Sequence, residues 1–352
     1  MWGLTGKMLG LDIGSSNIKW IVYGGSCKTP VIHNWGMVKT PQDSLRDGRI
    51  IDKHGLLEKI KEVLASGEKK ISKASITLSC PEMIIRTLEL PKMNFREMDS
   101  VINYEAEQFI PVNAGEYISD YRIIGEVERD GARLNRVLLA AVPSGIVQGY
   151  VELLEGLGVK PGAVDFHGNS AARLLSRYPS VSSDGSFAIL DLGASTTTIS
   201  ITEKGIPMFT RVVQNGSEEI TRSIANSFNL SIEDGEKYKI LHGRVLNEGE
   251  EPQEGMVRDM LEGVMPVVEY LISDVYRSIE FYKTRTGSQI NSMALIGGGS
   301  YLPGLGEYLS SHLSLEYRRI EGELPLKIKN GFDNDQLLFY ANVLGLAYRE
   351  ER

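Results

Sequence analysis

The chain has 352 residues, of which 42% are hydrophobic and 24% charged, so it can bury a sizeable core and is not a disordered chain. Lys and Arg number 38 against 46 Asp and Glu, a net charge of −8, which argues against a general phosphate-backbone binder of nucleic acid. Two cysteines, Cys27 and Cys80, exclude a disulfide scaffold and a multi-cysteine zinc site, and the five histidines form no metal-binding pair. No apolar run approaches the roughly 20 residues that span a bilayer, and no export signal stands at the start. The expectation is a cytoplasmic protein that partners must hold at any membrane.

Residues 8–24 (MLGLDIGSSNIKWIVYG) read as strand, glycine turn, strand. Residues 186–202 (SFAILDLGASTTTISIT) repeat that order: apolar strand, Asp-x-Gly, small hydroxyl residues, alternating strand. The repeat predicts two related halves. Between the copies, 74–80 and 84–90 read as strands, and Asn94 with Glu97 forms a capping box for a helix that runs to Phe109 and stops before Pro111. Strands are expected at 117–125 and 134–142 around Asp130-Gly131, then a helix from Ser144 that Gly158 closes. A compact β/α unit is expected over about 91–157. Apolar residues from Leu261 to Tyr282 recur at helical spacing and predict a long helix over 261–283, whereas 245–256 reads as an exposed acidic loop. The stretch 337–348 reads as a packed final helix, since Ala341, Gly345 and Ala347 suit close helix packing better than a surface anchor.

The two Asp-x-Gly turns carry the chemistry. In the first, Gly14 permits a tight turn whose backbone N–H groups can approach an anion, with Ser15, Ser16 and Asn17 as short donors and Lys19 as a positive charge. Asp12 at the edge of such a nest makes sense with a hydrated Mg²⁺ between it and the phosphates. The second turn repeats the set with Asp191, Gly193, Ser195, Thr196 and Thr197. Facing one another, two such hairpins would clamp a nucleoside triphosphate and its metal. The run Gly297-Gly298-Gly299, followed by Ser300, would let a flat ring approach the backbone. No Walker A loop and no Rossmann glycine fingerprint is present.

Together these elements resemble the actin-like ATPase superfamily, which implies an α/β, ribonuclease H-like fold of two duplicated lobes closing on Mg-ATP or Mg-ADP. Lys19 matches the superfamily's phosphate-contacting lysine, seven residues after the first aspartate. The segment 233–239 is similar to the Ala-Glu-x-x-Lys segment of FtsA-like proteins, with Gly235 in place of the alanine. That likeness implies that Glu236 and Lys239 line the ribose and adenine, with Gly216 also in the nucleotide set. Residues 86–112 (RTLELPKMNFREMDSVINYEAEQFIPV) and 137–165 (VLLAAVPSGIVQGYVELLEGLGVKPGAVD) resemble the PilM family of type IV pilus assembly, with an FtsA-type inserted subdomain. The resemblance implies a first lobe over 1–185 carrying the insertion and a second over 186–340 with a small outer subdomain at about 228–285. A C-terminal helix, 337–352, would pack back on the first lobe.

The family further implies an ATP-binding scaffold rather than a metabolic enzyme. It would sit at the inner face of the cytoplasmic membrane by binding the N-terminal tail of a PilN-like membrane protein, with the pilus assembly and retraction ATPases as further partners. Arg86, Leu88, Leu90, Phe109, Ile110 and Tyr150 are candidates for the tail groove, with core positions as the competing reading. At the head of the helix joining the halves, where superfamily members carry Glu or Gln to orient water, this chain has His167, with Asp165 beside it as a second acid or metal-side group. That departure points to slow or absent ATP hydrolysis, although His167 also fits a surface histidine. A sugar or acyl kinase and an FtsA-like filament protein are the alternatives.

Overall fold

A computed structural model describes residues 4–65, 71–109, 116–181, 185–246, 256–323, 326–329 and 331–350. The first sheet gathers β1 (Leu4–Ile13), β2 (Asn17–Ser26) and β3 (Thr29–Lys39), which form a meander, with the small hairpin β4 (Leu45–Arg46) and β5 (Arg49–Ile50) beyond it. After α1 (Lys53–Ala65), β6 (Lys73–Leu78) joins β1 in parallel. The chain then leaves this sheet for β7 (Ile84–Pro91), α2 (Phe95–Phe109), β8 (Tyr117–Arg129) and β9 (Ala132–Pro143), a separate three-stranded sheet ordered β7-β9-β8. It returns through α3 (Ser144–Gly156) to β10 (Lys160–Phe166), parallel to β6, and enters α4 (His167–Leu175).

The second sheet repeats the plan. A meander of β11 (Ser186–Leu192), β12 (Thr197–Glu203) and β13 (Ile206–Val213) is followed by helices α5 (Ser217–Ser227), α6 (Ile232–His242) and α7 (Met256–Thr286). Strand β14 (Ile290–Ile296) then pairs parallel with β11, and after α8 (Leu305–Leu313) the short β15 (Glu316–Tyr317) follows. The order β3-β2-β1-β6-β10 in one sheet thus equals β13-β12-β11-β14-β15 in the other. The first sheet gains one more strand, β16 (Lys327–Ile328), before the final helix α9 (Leu337–Leu346).

Local chemistry explains several boundaries. Asn94 and Glu97 exchange two hydrogen bonds of 3.1 Å, Asn94 N–H to Glu97 Oε2 and Glu97 N–H to Asn94 Oδ1, which satisfies two donors at the head of α2. Asp130 and Gly131 both hold positive φ, 51° and 76°, the two-residue turn that matches strand twist between β8 and β9. In α7 the residues Val264, Val268, Leu271, Val275, Ile279 and Tyr282 form the buried stripe, and the helix runs beyond the expected 261–283 at both ends. The expected acidic loop lies largely outside the described residues.

Three large cores result. One joins the second sheet to α5, α7 and α8. Another joins the first sheet to α1 and α3, through residues such as Leu9, Leu11, Leu56 and Tyr150. The third lies between the two sheets, where α4 and α9 pack against β1, β2, β11 and β14. Gly345 of α9 makes that crossing possible, because a Cβ there would stand 1.9 Å from the Ser170 carbonyl oxygen of α4. Two expectations change here. The inserted unit spans 84–143 rather than 91–157, because the buried face of α3 belongs to the first sheet's core. The final helix packs on both lobes rather than the first alone: it is apolar almost all round and buried accordingly.

Candidate functional site between the two hairpins

Each Asp-x-Gly turn closes a β-hairpin. The first pairs Asp12 with Lys19 across β1 and β2, and the second pairs Asp191 with Thr198 across β11 and β12. Both turns are tied the same way, Gly14 N–H donating to Asn17 O and Gly193 N–H to Thr196 O, each 3.0 Å. A Cβ on Gly193 would lie 2.8 Å from the Thr196 carbonyl, so the tight turn itself demands glycine. Around the first turn, Thr40 Oγ1 donates to Gly14 O at 2.6 Å, while Ser15, Ser16 and Asn17 are half-buried. Around the second, the head of α5 takes up the turn's carbonyls: Ser217 N–H donates to Gly193 O and Glu218 N–H to Ala194 O, each 2.9 Å. Gly216 is required for this contact, since its Cβ would sit 2.1 Å from Ala194 O. Ser195 is exposed and Thr196 half-buried, whereas Thr197 is buried and its hydroxyl is spent on Asn215 O at 2.5 Å.

One side chain links the turns. His167, the first residue of α4, places Nε2 3.2 Å from Asp12 Oδ1 and Nδ1 3.2 Å from Asp191 Oδ2. On the far side of Asp12, Lys19 Nζ donates to Oδ2 at 2.9 Å, and beyond Asp191, Asn342 Nδ2 of α9 donates to Oδ2 at 2.7 Å. The result is a line, Lys19–Asp12–His167–Asp191–Asn342, through both lobes, with the two aspartates and Asn342 buried and Lys19 and His167 largely so. Burial opposes ionisation of Asp12, but the Lys19 and His167 cations overcome it and hold the carboxyl well below the usual range. Burial would likewise lower His167; Asp12 and Asp191 instead hold its imidazolium up to about 9. His167 is therefore an inter-lobe group and not a surface histidine.

Asp165 is differently engaged. Its Oδ1 accepts from Phe166 N–H at 2.8 Å and Asn169 Nδ2 at 2.9 Å, and its Oδ2 pairs with Arg173. Arg173 Nε also donates to Gly345 O at 3.3 Å. The carboxyl thus serves as the anchor of α4 and has no oxygen turned to the hairpins' chemistry.

The residues expected beside the nucleoside form a second group. Lys239 Nζ donates to Thr221 Oγ1 at 2.8 Å and Ser217 O at 3.1 Å, and pairs with Glu236 at 2.8 Å. Glu236 in turn accepts from the Thr221 hydroxyl at 2.5 Å. Gly235 packs α6 on α5: its Cβ would meet Ala225 Cβ at 2.9 Å, so only a very small residue fits. The triple glycine behaves less simply than an open platform. Gly297 has φ 81° and a Cβ there would fall 2.5 Å from Asp191 Oδ1. A Cβ on Gly299 would meet Leu192 Cβ at 2.9 Å. A Cβ on Gly298 would stand 3.0 Å from the edge of the Phe339 ring, and that ring stacks on Tyr301 with centroids 4.8 Å apart. Ser300 Oγ donates back to Gly297 O at 2.6 Å.

Of the tail candidates, Tyr150 and Leu90 are core residues, of the first sheet and of the inserted sheet respectively. Leu88 packs partly buried beside Leu90, and Arg86 donates to Ile85 O at 3.0 Å. Ile110 and the side chain of Phe109 lie outside the described residues.

Asn342, Thr40 and the 2.8 Å contact of Ser79 Oγ with Thr198 Oγ1 escaped sequence reasoning. For Asn342 a signal existed: it is the one amide in the apolar run LLFYANVLGL.

The sequence matches the family "Type IV pilus assembly protein PilM" over residues 10–350. This chain belongs to that family. A solved PilM–PilN type IV pilus biogenesis complex is 27% identical, with a TM-score of 0.80 and 97% of each chain covered. The cell division protein FtsA of Streptococcus pneumoniae is 23% identical over 350 residues, covering 86% of this chain and 72% of FtsA. MreB5 of Spiroplasma citri, solved bound to AMPPNP, shares the fold at 12% identity and a TM-score of 0.56, with 97% and 95% covered. The PilM-family chain therefore has the actin-like, duplicated two-lobed fold and a place in type IV pilus assembly. Among the described residues, no helix is long and apolar enough to cross a membrane, and no group of three His, Cys, Asp or Glu side chains forms a direct metal cluster.

Proposed function

We propose that this PilM-family protein binds a Mg-nucleotide between its hairpins and captures the N-terminal tail of a PilN-like membrane protein on its inserted sheet. The observation that carries the nucleotide half is the convergence of Asp12 and Asp191, from opposite lobes, on one imidazole. Asp12 Oδ1 is buried with no hydrogen-bond donor of its own, which suits a carboxylate that also serves hydrated Mg²⁺. When bound, Mg²⁺ would neutralise phosphate charge; Asp12 and Asp191 would hold it through water. Ser15, Ser16, Asn17, Lys19, Ser195 and Thr196 would face the phosphates, and Glu236, Lys239 and the Gly297–Ser300 turn the nucleoside. With His167 where superfamily members carry Glu or Gln, and Asp165 committed to Arg173, neither group is poised as a general base. Hydrolysis is then slow or absent, and the nucleotide acts as a ligand that sets the lobe angle.

For the tail, β8 is the outer strand of the inserted sheet, and among the described residues no strand pairs with its far edge. Ile118 and Ile123 are exposed on it. Such an edge supplies main-chain hydrogen bonds to an extended peptide, with alternate side chains giving specificity. A scaffold of this kind resides in the cytoplasm and reaches the membrane through its partner. The test is a calorimetric titration with the PilN-like tail peptide, with and without Mg-ATP. One saturable site supports the reading, and a difference between the runs measures the coupling of nucleotide to tail. An absence of binding in both runs refutes tail capture.

A further inference from the structure

The His167 ring lies between the two hairpin carboxylates, Nε2 3.2 Å from Asp12 Oδ1 and Nδ1 3.2 Å from Asp191 Oδ2, and this has a consequence for binding. A hydrated cation shared by Asp12 and Asp191 would need the space between them, and the imidazole stands in that space at 3.2 Å from each. The two cannot be there together. Resting on the Mg-nucleotide reading above, we propose that His167 is an exchangeable strap: its ring stands in for the metal ion, ties the lobes together, and swings out when Mg-nucleotide enters.

The surroundings fix how the exchange proceeds. The backbone at the head of α4 cannot retreat. A Cβ on Gly168 would lie 2.3 Å from Ser200 Oγ and 2.8 Å from Thr210 Oγ1, so α4 is pressed against β12 and β13 at this point. Its body is anchored by the Asp165–Arg173 pair and by the close approach of Gly345 to Ser170. The movement is therefore confined to the His167 side chain. Once a metal ion takes the two aspartates, the ring loses both of these contacts, while Asp12 keeps Lys19 and Asp191 keeps Asn342. The strap thus imposes a cost on nucleotide entry and relinquishes it on binding.

The experiment is a calorimetric titration of Mg-ATP into the wild-type protein, His167→Gln and His167→Asn, with melting curves of each, free and saturated. If the strap is seated about nine-tenths of the time, its removal strengthens Mg-ATP binding about tenfold. The free variants melt lower than wild type, and the gap narrows in saturating Mg-ATP, because wild type must then release its own strap. Equal or weaker binding by folded variants overturns the proposal, because a water-orienting His167 leaves affinity unchanged and a phosphate-contacting one weakens it. If neither wild type nor variants bind Mg-ATP, both the proposal and the nucleotide reading fall. Should the variants fail to fold, ¹⁵N-histidine spectra of wild type decide: Mg-ATP must shift the ring signals of one histidine held between two carboxylates, and unchanged signals at saturation refute the exchange.

Discussion

Asn342 of the C-terminal helix donates through Nδ2 to Asp191 Oδ2 at 2.7 Å, so the last helix of the chain holds the aspartate of the second hairpin. The contact is buried and joins segments 151 residues apart. Its loss leaves a buried carboxylate with one donor fewer, a change of about 1.5–3 kcal/mol for a hydrogen bond to a charged group. Asn342→Leu is therefore expected to lower the free energy of unfolding, read from denaturant titration, by that amount and to weaken Mg-nucleotide binding. Unchanged stability together with unchanged affinity would remove Asn342 from the site.

The two hairpin aspartates differ in what their removal costs. Asp12 is flanked by Lys19 and His167, so Asp12→Ala strands two buried cations and is expected to destabilise by about 3–5 kcal/mol, the cost of breaking a buried pair. Asp191 touches one cation and one neutral amide. Asp191→Asn should then lose Mg-nucleotide affinity with a smaller fall in melting temperature than Asp12→Ala. Calorimetry and melting curves on the two variants check the order, and equal stability losses would contradict it.

What the sequence revealed follows from range. The two hairpins, the Asn94–Glu97 capping box and the Asp130-Gly131 turn are written in residues a few positions apart, where turn and cap chemistry act. The matching strand order of the two sheets follows from the repeat they share. The line from Lys19 to Asn342 could not be read that way. His167 lies 155 residues from Asp12 and 24 from Asp191, and only the crossing of α4 and α9 between the sheets brings all of them together. For the same reason the spacing near His167 made Asp165 look like a second acid, when its nearest charge is Arg173, two helical turns further on. Tyr150, a tail candidate by position, is fully buried because α3 belongs to the first sheet and not to the insertion.

Acid sensitivity should trace to Asp165 as well as to Asp12, since both carboxyls are held below their ordinary range. Burial alone would raise the Asp165 carboxyl, but Arg173, Asn169 and the Phe166 N–H together hold it below its ordinary 3.8. A depressed carboxyl contributes stability that is present above the unfolded value and is lost as pH falls through the folded one. The Asp165→Asn, Arg173→Met double variant should therefore lose less stability than wild type between pH 5 and pH 3, those limits being about one unit either side of an ordinary carboxylate. Arg173→Met alone leaves the carboxylate unpaired and should be the least stable of the three at neutral pH. Parallel acid-denaturation curves for wild type and the double variant would show that another group governs the transition.

The glycine run separates backbone need from ligand space. Gly297 holds φ 81°, and a Cβ there would reach 2.5 Å from Asp191 Oδ1 and 2.6 Å from Leu192 O. Gly297→Ala combines left-handed strain with a clash against the hairpin aspartate, and is expected to cost about 1–3 kcal/mol from the backbone alone. Gly298 carries no positive φ, and its Cβ would meet only the edge of the Phe339 ring at 3.0 Å. A side chain can yield where a carbonyl cannot, so Gly298→Ala should leave the melting temperature nearly unchanged. Gly298→Val is larger and must displace Phe339 from its stack on Tyr301. If the nucleoside lies on this turn, Gly298→Val weakens ATP binding while Gly298→Ala does so little, and both keep the fold. Equal affinity for wild type and Gly298→Val would place the nucleoside away from the turn and leave Phe339 and Tyr301 as packing between α9 and the second lobe.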